Sequence, residues 1–277
     1  MQAHPRKIGL ITGATDGLGL EVSKKYAQAG FTVVMAGRNP AKLETGCTSS
    51  QSPLAPHVET VIFDLASLPS IRKGAQDFLD LGLPLHALIT NARIQVAQRE
   101  FTEDTQAFEK TIMVNMFGSM LLTELLVPRM RESGGGRILN TTSCLHDVKV
   151  KTPADPTTQE EFLADLDDLD GSQEWNMMQF YEISKFTDIW WTNVLATRLS
   201  ADLLQHAAAL TANSLCPGFV PTTDLGRHWP LWLRLIRRYI TVWQSNAVTL
   251  DQSAQEYLAY GTLEEFCKQQ WSLLAVW

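Results

Sequence analysis

Basic charge is in short supply in this chain. Against 30 Asp and Glu stand 23 Lys and Arg, a net charge of −7 over 277 residues. A general nucleic-acid surface needs the opposite balance, so that class of partner is set aside. Cysteine is scarce too. Cys47, Cys144, Cys216 and Cys267 lie far apart and include no C-x-x-C pair. Neither a disulfide framework nor a zinc site is expected, and no other metal ligand set is assigned; reduced cytosolic thiols are the default. The stretch from Met1 to Lys7 is polar, without the apolar core of a signal peptide. No apolar run reaches the ~18 residues of a membrane span, and no internal repeat or long low-complexity tract occurs. What remains is a chain that is 45% hydrophobic, enough for one large domain or two small ones.

The residues that are present begin with a phosphate cradle. Ile8 to Thr12 is a short apolar run that reads as a buried parallel strand. Gly13-Ala14-Thr15-Asp16-Gly17-Leu18-Gly19 follows at once, and a helical pattern runs from Leu20 to Ala29 before Gly30. Strand, glycine-rich turn and helix are the context in which such glycines let backbone approach a pyrophosphate, with free N–H groups of the helix start aimed at it. An ordinary β–α turn is the bland alternative. Phe31 to Ala36 is the second strand. An acidic residue usually follows it where a ribose 2′-hydroxyl is bound. Here Gly37 and Arg38 follow, and a guanidinium can grip a 2′-phosphate in a bidentate fork; otherwise Arg38 is a solvated surface group. Thr45 to His57, rich in Ser, Thr and Pro, reads as a loop. Val58 to Phe63 is the third strand. Asp64, beyond it, could meet an adenine amino group or cap the helix that starts near Leu68. Leu83 to Thr90 is the fourth strand, with Asn91-Ala92-Arg93 after it.

Acid–base chemistry is suggested by Tyr181 and Lys185, four residues apart and so on one face of a helix running from Met178 to Ala208. A nearby cation favours the phenolate and brings a tyrosine toward useful proton transfer. Surface Tyr–Lys pairs at this spacing are common, so the pair needs support. A long helical pattern from Glu103 to Met130 holds Asn115, which either mends a backbone kink or holds a water. Arg137 to Thr142 is the fifth strand and ends at Ser143, on the edge of the sheet where ligands of open α/β folds bind. Leu210 to Leu215 is the sixth, followed by Cys216-Pro217-Gly218-Phe219-Val220-Pro221-Thr222, a forced turn. Asn246 to Tyr260 reads as the last crossover helix, and Ser272 to Val276 is the sole candidate for a seventh strand.

Two segments stand apart from this alternation. Residues 149–175 are polar and acidic, with Thr157 to Glu161 resembling a capped helix and Asp165, Asp167, Asp168 and Asp170 crowded together. They form either a solvated flap or a substrate rim. In 222–243, Trp232, Leu235, Ile236, Tyr239, Ile240 and Trp243 make one apolar helical stripe, with Arg234, Arg237 and Arg238 largely elsewhere. A lid over an apolar pocket is favoured, and a membrane-surface helix is the alternative.

Taken together, these residues resemble the short-chain dehydrogenase/reductase family in its single-domain branch, with the texture of its retinol-dehydrogenase-like and fungal biosynthetic, secondary-metabolism members. T-G-x-x-x-G-x-G stands at Thr12 to Gly19, the adenine-side acid at Asp64, the N-A-G turn at Asn91-Ala92, and P-G-x-x-x-T at Pro217-Gly218 and Thr222. The resemblance implies an α/β fold, a Rossmann-type doubly wound parallel sheet in three layers, forming one domain over 1–277. It implies a catalytic set of Asn115, Ser143, Tyr181 and Lys185. Tyr181 would be the acid/base, Ser143 would hold the substrate oxygen, Lys185 the nicotinamide ribose and Asn115 a relay water. Gly13, Thr15, Asp16, Gly17, Leu18, Gly19, Arg38, Asp64, Leu65, Asn91, Ala92, Tyr181, Lys185, Pro217, Gly218, Val220 and Thr222 would bind NADP(H). The expected activity is carbonyl–alcohol interconversion on an apolar small molecule, in the reducing direction, by a cytoplasmic protein that could touch a membrane or form a homodimer. A protein that binds NADP(H) without redox turnover is the alternative. The chain departs from the pattern in three ways: Arg93 replaces the last glycine of N-A-G, the gap from Ser143 to Tyr181 is long, and the tail lacks a clear final strand.

Overall fold

The computed structural model describes residues 6–50, 58–102, 104, 108–143, 165–202, 209–220, 247–262 and 273–275. Seven parallel strands form its sheet: β1 (Ile8–Thr12), β2 (Thr32–Gly37), β3 (Val58–Ile62), β4 (Ala87–Thr90), β5 (Gly136–Thr141), β6 (Leu210–Cys216) and β7 (Leu273–Ala275). Their order is β3-β2-β1-β4-β5-β6-β7, and every neighbouring pair runs parallel. This is the doubly wound α/β arrangement. The chain steps outward from β1 on one side and from β4 on the other, leaving a crevice at the carboxyl ends where the direction reverses. The weak tail candidate is a strand: Leu273 to Ala275 pairs with Ser214 to Cys216.

Side chains of successive strand residues point to opposite faces, and the core divides accordingly. Leu10, Val34, Ala36, Leu88 and Ile138 face one layer; Ile11, Val33, Met35, Ile89 and Leu139 face the other. The first layer holds α3 (Leu68–Asp80), α4 (Lys110–Glu132) and α5 (Met177–Asp202), through Ile71, Phe78, Leu122, Leu126, Leu195 and Leu199. The second holds α1 (Gly17–Gln28), α2 (Pro40–Ser50) and α6 (Leu250–Thr262), through Val22, Tyr26, Leu43 and Tyr257.

Two boundaries and one cap differ from the sequence reading, each for a local reason. The Ser/Thr-rich stretch read as a loop from Thr45 is helical through Ser50. Asn39 starts it by accepting from the Lys42 N–H at 3.0 Å, and Thr45 and Thr48 turn their hydroxyls back onto the carbonyls of Ala41 and Glu44. Such back-bonding lets polar residues sit inside a helix. The long helix placed from Glu103 starts at Lys110, where buried Glu109 caps it by accepting from the N–H groups of Thr111 and Ile112. The helix after β3 is capped by Ser67, whose hydroxyl accepts from the Ser70 N–H, and Asp64 does not cap it. By length and composition α4 could cross a membrane, but 67% of its most apolar stretch is buried inside the protein, which is the signature of a core helix. The segment 222–243, the start of the acidic segment at 149–164, and Thr222 lie outside the described residues.

Gly74 on α3 gives a direct test of this packing. An added Cβ there would run into the Phe63 ring. Alanine gains ~1 kcal/mol of helix propensity over glycine, while overpacking costs ~1–3 kcal/mol. The ring lies against the backbone with no flexible end to yield, so overpacking should win. Gly74→Ala should lose up to about 2 kcal/mol, seen as a lower urea midpoint at unchanged slope.

Candidate active site

The predicted residues fall at the carboxyl ends of the strands, around the crevice. The glycine-rich turn joins β1 to α1, Arg38 follows β2, and Asp64 and Leu65 follow β3. Asn91 and Ala92 follow β4, Ser143 lies just past β5, and Pro217, Gly218 and Val220 follow β6. Parallel strands bring these turns to one edge although they are spread over most of the chain.

Thr12 holds the first two turns together. Its hydroxyl accepts from the N–H groups of Asn91 and Ala92, both at 3.0 Å, and the Asn91 amide donates to the Thr12 carbonyl at 3.1 Å. The turns are then so close that two positions admit no side chain. Gly13 has a φ of +64°, and a Cβ on it would lie 2.8 Å from the Ala92 Cα. A Cβ on Gly19 would strike the Gly13 carbonyl and the Asn91 amide. What results is a bare backbone cradle at the N-terminus of α1, the geometry that accepts a pyrophosphate. Asp16 caps α1 by accepting from the Gly17 N–H at 2.9 Å, and its other oxygen pairs with Lys42 at 3.1 Å. A cleft of 320 Å³ opens here, lined in part by Thr15, Asp16, Asn39 and Lys42. Leu18 and Leu65 turn their side chains into the two core layers, so only their main chains can face a ligand. Arg38 and Asp64, both partly exposed, face each other at 3.6 Å.

The second half of the site is built on α5. Tyr181 is 6% exposed and Lys185 is fully buried, and the lysine Nζ lies 5.3 Å from the centre of the tyrosine ring. Lys185 Nζ donates to the Thr141 carbonyl at 3.2 Å, while the Thr142 hydroxyl donates to the Lys185 carbonyl at 3.0 Å. Both residues immediately precede Ser143, so the helix carrying Tyr181 is locked to the strand end carrying Ser143. Asn115 ties in a third element. It sits in a π-helical turn of α4, Met113–Gly118. Its Oδ1 accepts from the Ile94 N–H, and its Nδ2 donates to the Ile94 carbonyl and to Ser184 Oγ. The amide mends the loop after β4 and fastens it to α5 between Tyr181 and Lys185.

Arg93, the residue in place of a glycine, turns inward. Its side chain is 5% exposed. Nε donates to the Thr141 carbonyl at 3.1 Å and lies 3.3 Å from Asp188, and Nη1 reaches the Ala92 carbonyl and the Ser119 hydroxyl. Asp188, one turn beyond Lys185, also accepts from the lysine at 3.1 Å. Sequence reasoning missed Asp188 and Lys42. The i, i+3 spacing of Lys185 and Asp188, and of Asn39 and Lys42, carried a weak signal for both. The described part of the acidic segment turns about Asp168 and packs on the body of the protein through Leu166, Leu169 and Trp175. Asp168 accepts from the N–H groups of Ser172, Gln173 and Glu174, and Asp170 meets Arg99 at 3.6 Å.

Comparison with known proteins agrees with this geometry. A family profile described as short chain dehydrogenase matches residues 7–153. Polyprenol dehydrogenase of Mus musculus is 32% identical over 242 residues, covering 86% of this chain and 66% of that protein. Retinol dehydrogenase 12 of Bos taurus is 29% identical over 276 residues, covering 96% and 79%. The chain thus spans about two-thirds of the length of the first of these relatives. Among solved structures, a 3-ketoacyl-(acyl-carrier-protein) reductase from Brucella melitensis complexed with NADH superposes with a TM-score of 0.70 at 19% identity, covering 98% of this chain and 96% of that one. At that identity the likeness speaks for the fold.

Burial lowers the Lys185 ammonium from 10.5 to about 7; Arg93 adds repulsion, and Asp188 acts in the opposite direction. The folded value lies below the unfolded one, so the folded state binds fewer protons between about 7 and 10.5. Stability from this group therefore rises with pH across that window and is lowest beneath it. Lys185→Met removes the ionisation. Its stability advantage over the natural protein should be largest near about pH 6 and shrink toward about pH 10, by on the order of several kcal/mol. Urea unfolding across that pH series measures it, and a pH-independent difference would exclude the lowered ionisation of Lys185.

Proposed function

The chain belongs to the short-chain dehydrogenase/reductase family, and from that premise we propose that it is an NADP(H)-dependent oxidoreductase that interconverts a carbonyl and a secondary alcohol on an apolar small molecule, as a reductase. One observation carries the reading. Lys185 on the tyrosine helix and the strand end before Ser143 are bonded to each other in both directions, which ties the helix carrying Tyr181 to the strand end that leads to Ser143. The glycine cradle, closed to any side chain at Gly13 and Gly19, fits the pyrophosphate of a dinucleotide.

NADPH, when bound, supplies the hydride for the carbonyl carbon. The residues do the rest. Charge develops on the carbonyl oxygen, and the Ser143 hydroxyl and Tyr181 phenol are the donors proposed to meet it. Tyr181 gives up its proton as the general acid. Lys185 holds the ribose hydroxyls and keeps positive charge beside the phenol. The Asn115 amide is engaged by Ile94 and Ser184, so a relay water would be held by its main-chain carbonyl, in a π turn of the kind common at functional sites. Pro217, Gly218, Val220 and Thr222 would flank the nicotinamide.

The preference for NADP(H) rests on charge. Arg38 stands at the end of β2, and Lys42, in the first turn of α2, adds a second cation beside the cleft. A 2′-phosphate arriving there would draw Arg38 from Asp64 and Lys42 from Asp16. The apolar substrate is supported by two of the relatives, a polyprenol and a retinol dehydrogenase, and by the aromatic stripe at 232–243. The latter is also the segment proposed as a lid, with a membrane contact as the alternative.

Titration should give tighter binding of NADPH than of NADH. Arg38→Ala should weaken NADPH by about 1.5–3 kcal/mol, the value of hydrogen bonds to a charged group, and leave NADH nearly unchanged; equal binding of both dinucleotides refutes the preference. Turnover is tested with a panel of apolar ketones. Tyr181→Phe should cut it by about 10²–10⁴-fold while NADPH still binds. Ser143→Ala should lower turnover alone, and Lys185→Ala should damage both turnover and binding. Full activity in Tyr181→Phe would discard the mechanism in favour of a role without redox turnover.

A further inference from the structure

Arg93 and Lys185 compete for the same two oxygens. The Thr141 carbonyl accepts from Arg93 Nε at 3.1 Å and from Lys185 Nζ at 3.2 Å. Asp188 Oδ2 lies 3.3 Å from Arg93 Nε and 3.1 Å from Lys185 Nζ. All three charged side chains are 5% exposed or less. Two cations therefore share one anion in the protein interior, and with both protonated the cluster carries a net positive charge. Arg93 Nη2 is buried there with no hydrogen-bond partner among the described residues.

We propose that Arg93 and Asp188 are positioning residues for Lys185: by sharing one carboxylate and one carbonyl with it, they hold its ammonium against β5 and limit the negative charge available to it. The inference rests on the dehydrogenase reading of the site only in giving Lys185 its use.

Which member of the cluster yields its proton follows from chemistry. A guanidinium in a protein does not deprotonate, and buried lysines do. Excess charge in this cluster is therefore relieved at Lys185, the group whose ionisation falls to about 7. The groups that face it come from every element packed around it. Arg93 comes from the turn after β4, Asp188 and Tyr181 from α5 itself, and Cys216 from the end of β6. Tyr257 of α6 stands behind Thr141, sharing a hydrogen bond with its hydroxyl at 2.7 Å, and feels both Arg93 and Cys216. In the free protein near neutral pH, Lys185 is thus divided between ammonium and amine. A ligand that takes hydrogen bonds from the ammonium, such as ribose hydroxyls, draws a proton from solvent as it binds. A glycine at position 93 would remove the repulsion and leave Asp188 wholly to the lysine, which favours the ammonium, while burial, the larger cause of the lowering, would remain; the arginine thus adds to what burial does.

The lysine can be observed directly in the cofactor-free protein. Labelling lysine side chains with carbon-13 at Cε and comparing with Lys185→Met assigns its signal, and a pH titration gives its midpoint. The natural protein should titrate near 7. Arg93→Gln should raise the midpoint by at least about one unit and Asp188→Asn should lower it by a similar amount, the usual effect of a charge within 4–6 Å. Arg93→Lys, which keeps the charge, should stay nearer the natural value than Arg93→Gln. Should either variant fail to fold, the natural protein alone still decides: a midpoint near the ordinary ~10.4 overturns the proposal. So does a folded Arg93→Gln with an unmoved midpoint. Calorimetric titration with NADPH near pH 7, in buffers of different ionisation enthalpy, then reads proton uptake, which should be present in the natural protein and greatly reduced in Arg93→Gln. If the lysine midpoints move as expected but NADPH does not bind, the cofactor reading fails and the charge-sharing cluster stands. If NADPH binds with the same proton uptake in both proteins, the cluster does not govern binding and the proposal falls.

Discussion

A lysine ammonium buried in the protein interior has to be met by oxygens that do not move. That requirement organises the site side of this fold. A lone cation in a low-dielectric interior is so costly that it either finds fixed acceptors or loses its proton. Lys185 finds the Thr141 carbonyl and the Asp188 carboxylate. Thr141 is the last residue of β5, and its carbonyl points to the lysine because the strand ladder ends there. The helix must then lie close to β5 along this turn, and the Thr142 hydroxyl bonds it from the other side. The relative placement of Tyr181 and Ser143 is a consequence of this contact between rigid elements, which position functional groups better than loops do.

The same logic extends through the sheet as a layer of buried hydroxyls and amides near the carboxyl edge. Thr90 donates to Asn140, Asn140 to Thr192, and Thr192 to the Asp188 carbonyl. On the opposite face, Thr141 meets Tyr257, whose own carbonyl accepts from Tyr26. Each of these polar groups would be expensive to bury alone. Linked, they tie β4, β5, α5, α1 and α6 together a few residues below the crevice. The apolar core beneath fixes which elements pack, and this polar layer fixes their register to within a hydrogen bond.

Much of this was legible in the sequence, because the features that produce it are local. Apolar runs ending in glycine, asparagine or aspartate mark parallel strands entering turns, and every strand was located within a few residues except β4. There Pro84 and the residues before it precede the ladder, which begins at Ala87. The glycine turn, Asn115, Ser143, Tyr181 and Lys185 could be placed on elements for the same reason. What could not be read is pairing between distant residues. The helical Ser and Thr of α2 look like a loop until their hydroxyls are seen bonded to carbonyls a turn back. Glu109 looks like one more helix residue until it caps. Asp188 looks like a surface charge on an amphipathic helix. Only the fold puts it beside an arginine ninety-five positions earlier in the chain.

That last pair also explains how the chain tolerates a residue its turn should not accept. A bulky cation after Asn91-Ala92 would crowd a dinucleotide if its side chain pointed into the crevice. It points the other way, and the space it fills lies between the end of β5 and α5, where Ser119 and two carbonyls satisfy Nη1 and Nε. A carboxylate is needed as well, since burying a guanidinium without one costs far more than hydrogen bonds return. Asp188 supplies it, but it is already committed to Lys185. The arginine and the lysine must therefore divide one carboxylate. The division weakens the hold on each of them and leaves one guanidinium nitrogen without a partner among the described residues. A site built only for stability would not keep such an arrangement, because replacing a buried charge cluster with apolar packing is often neutral or favourable. In the proposed reading, its place beside Tyr181 gives it control over the one proton in the cluster that can leave.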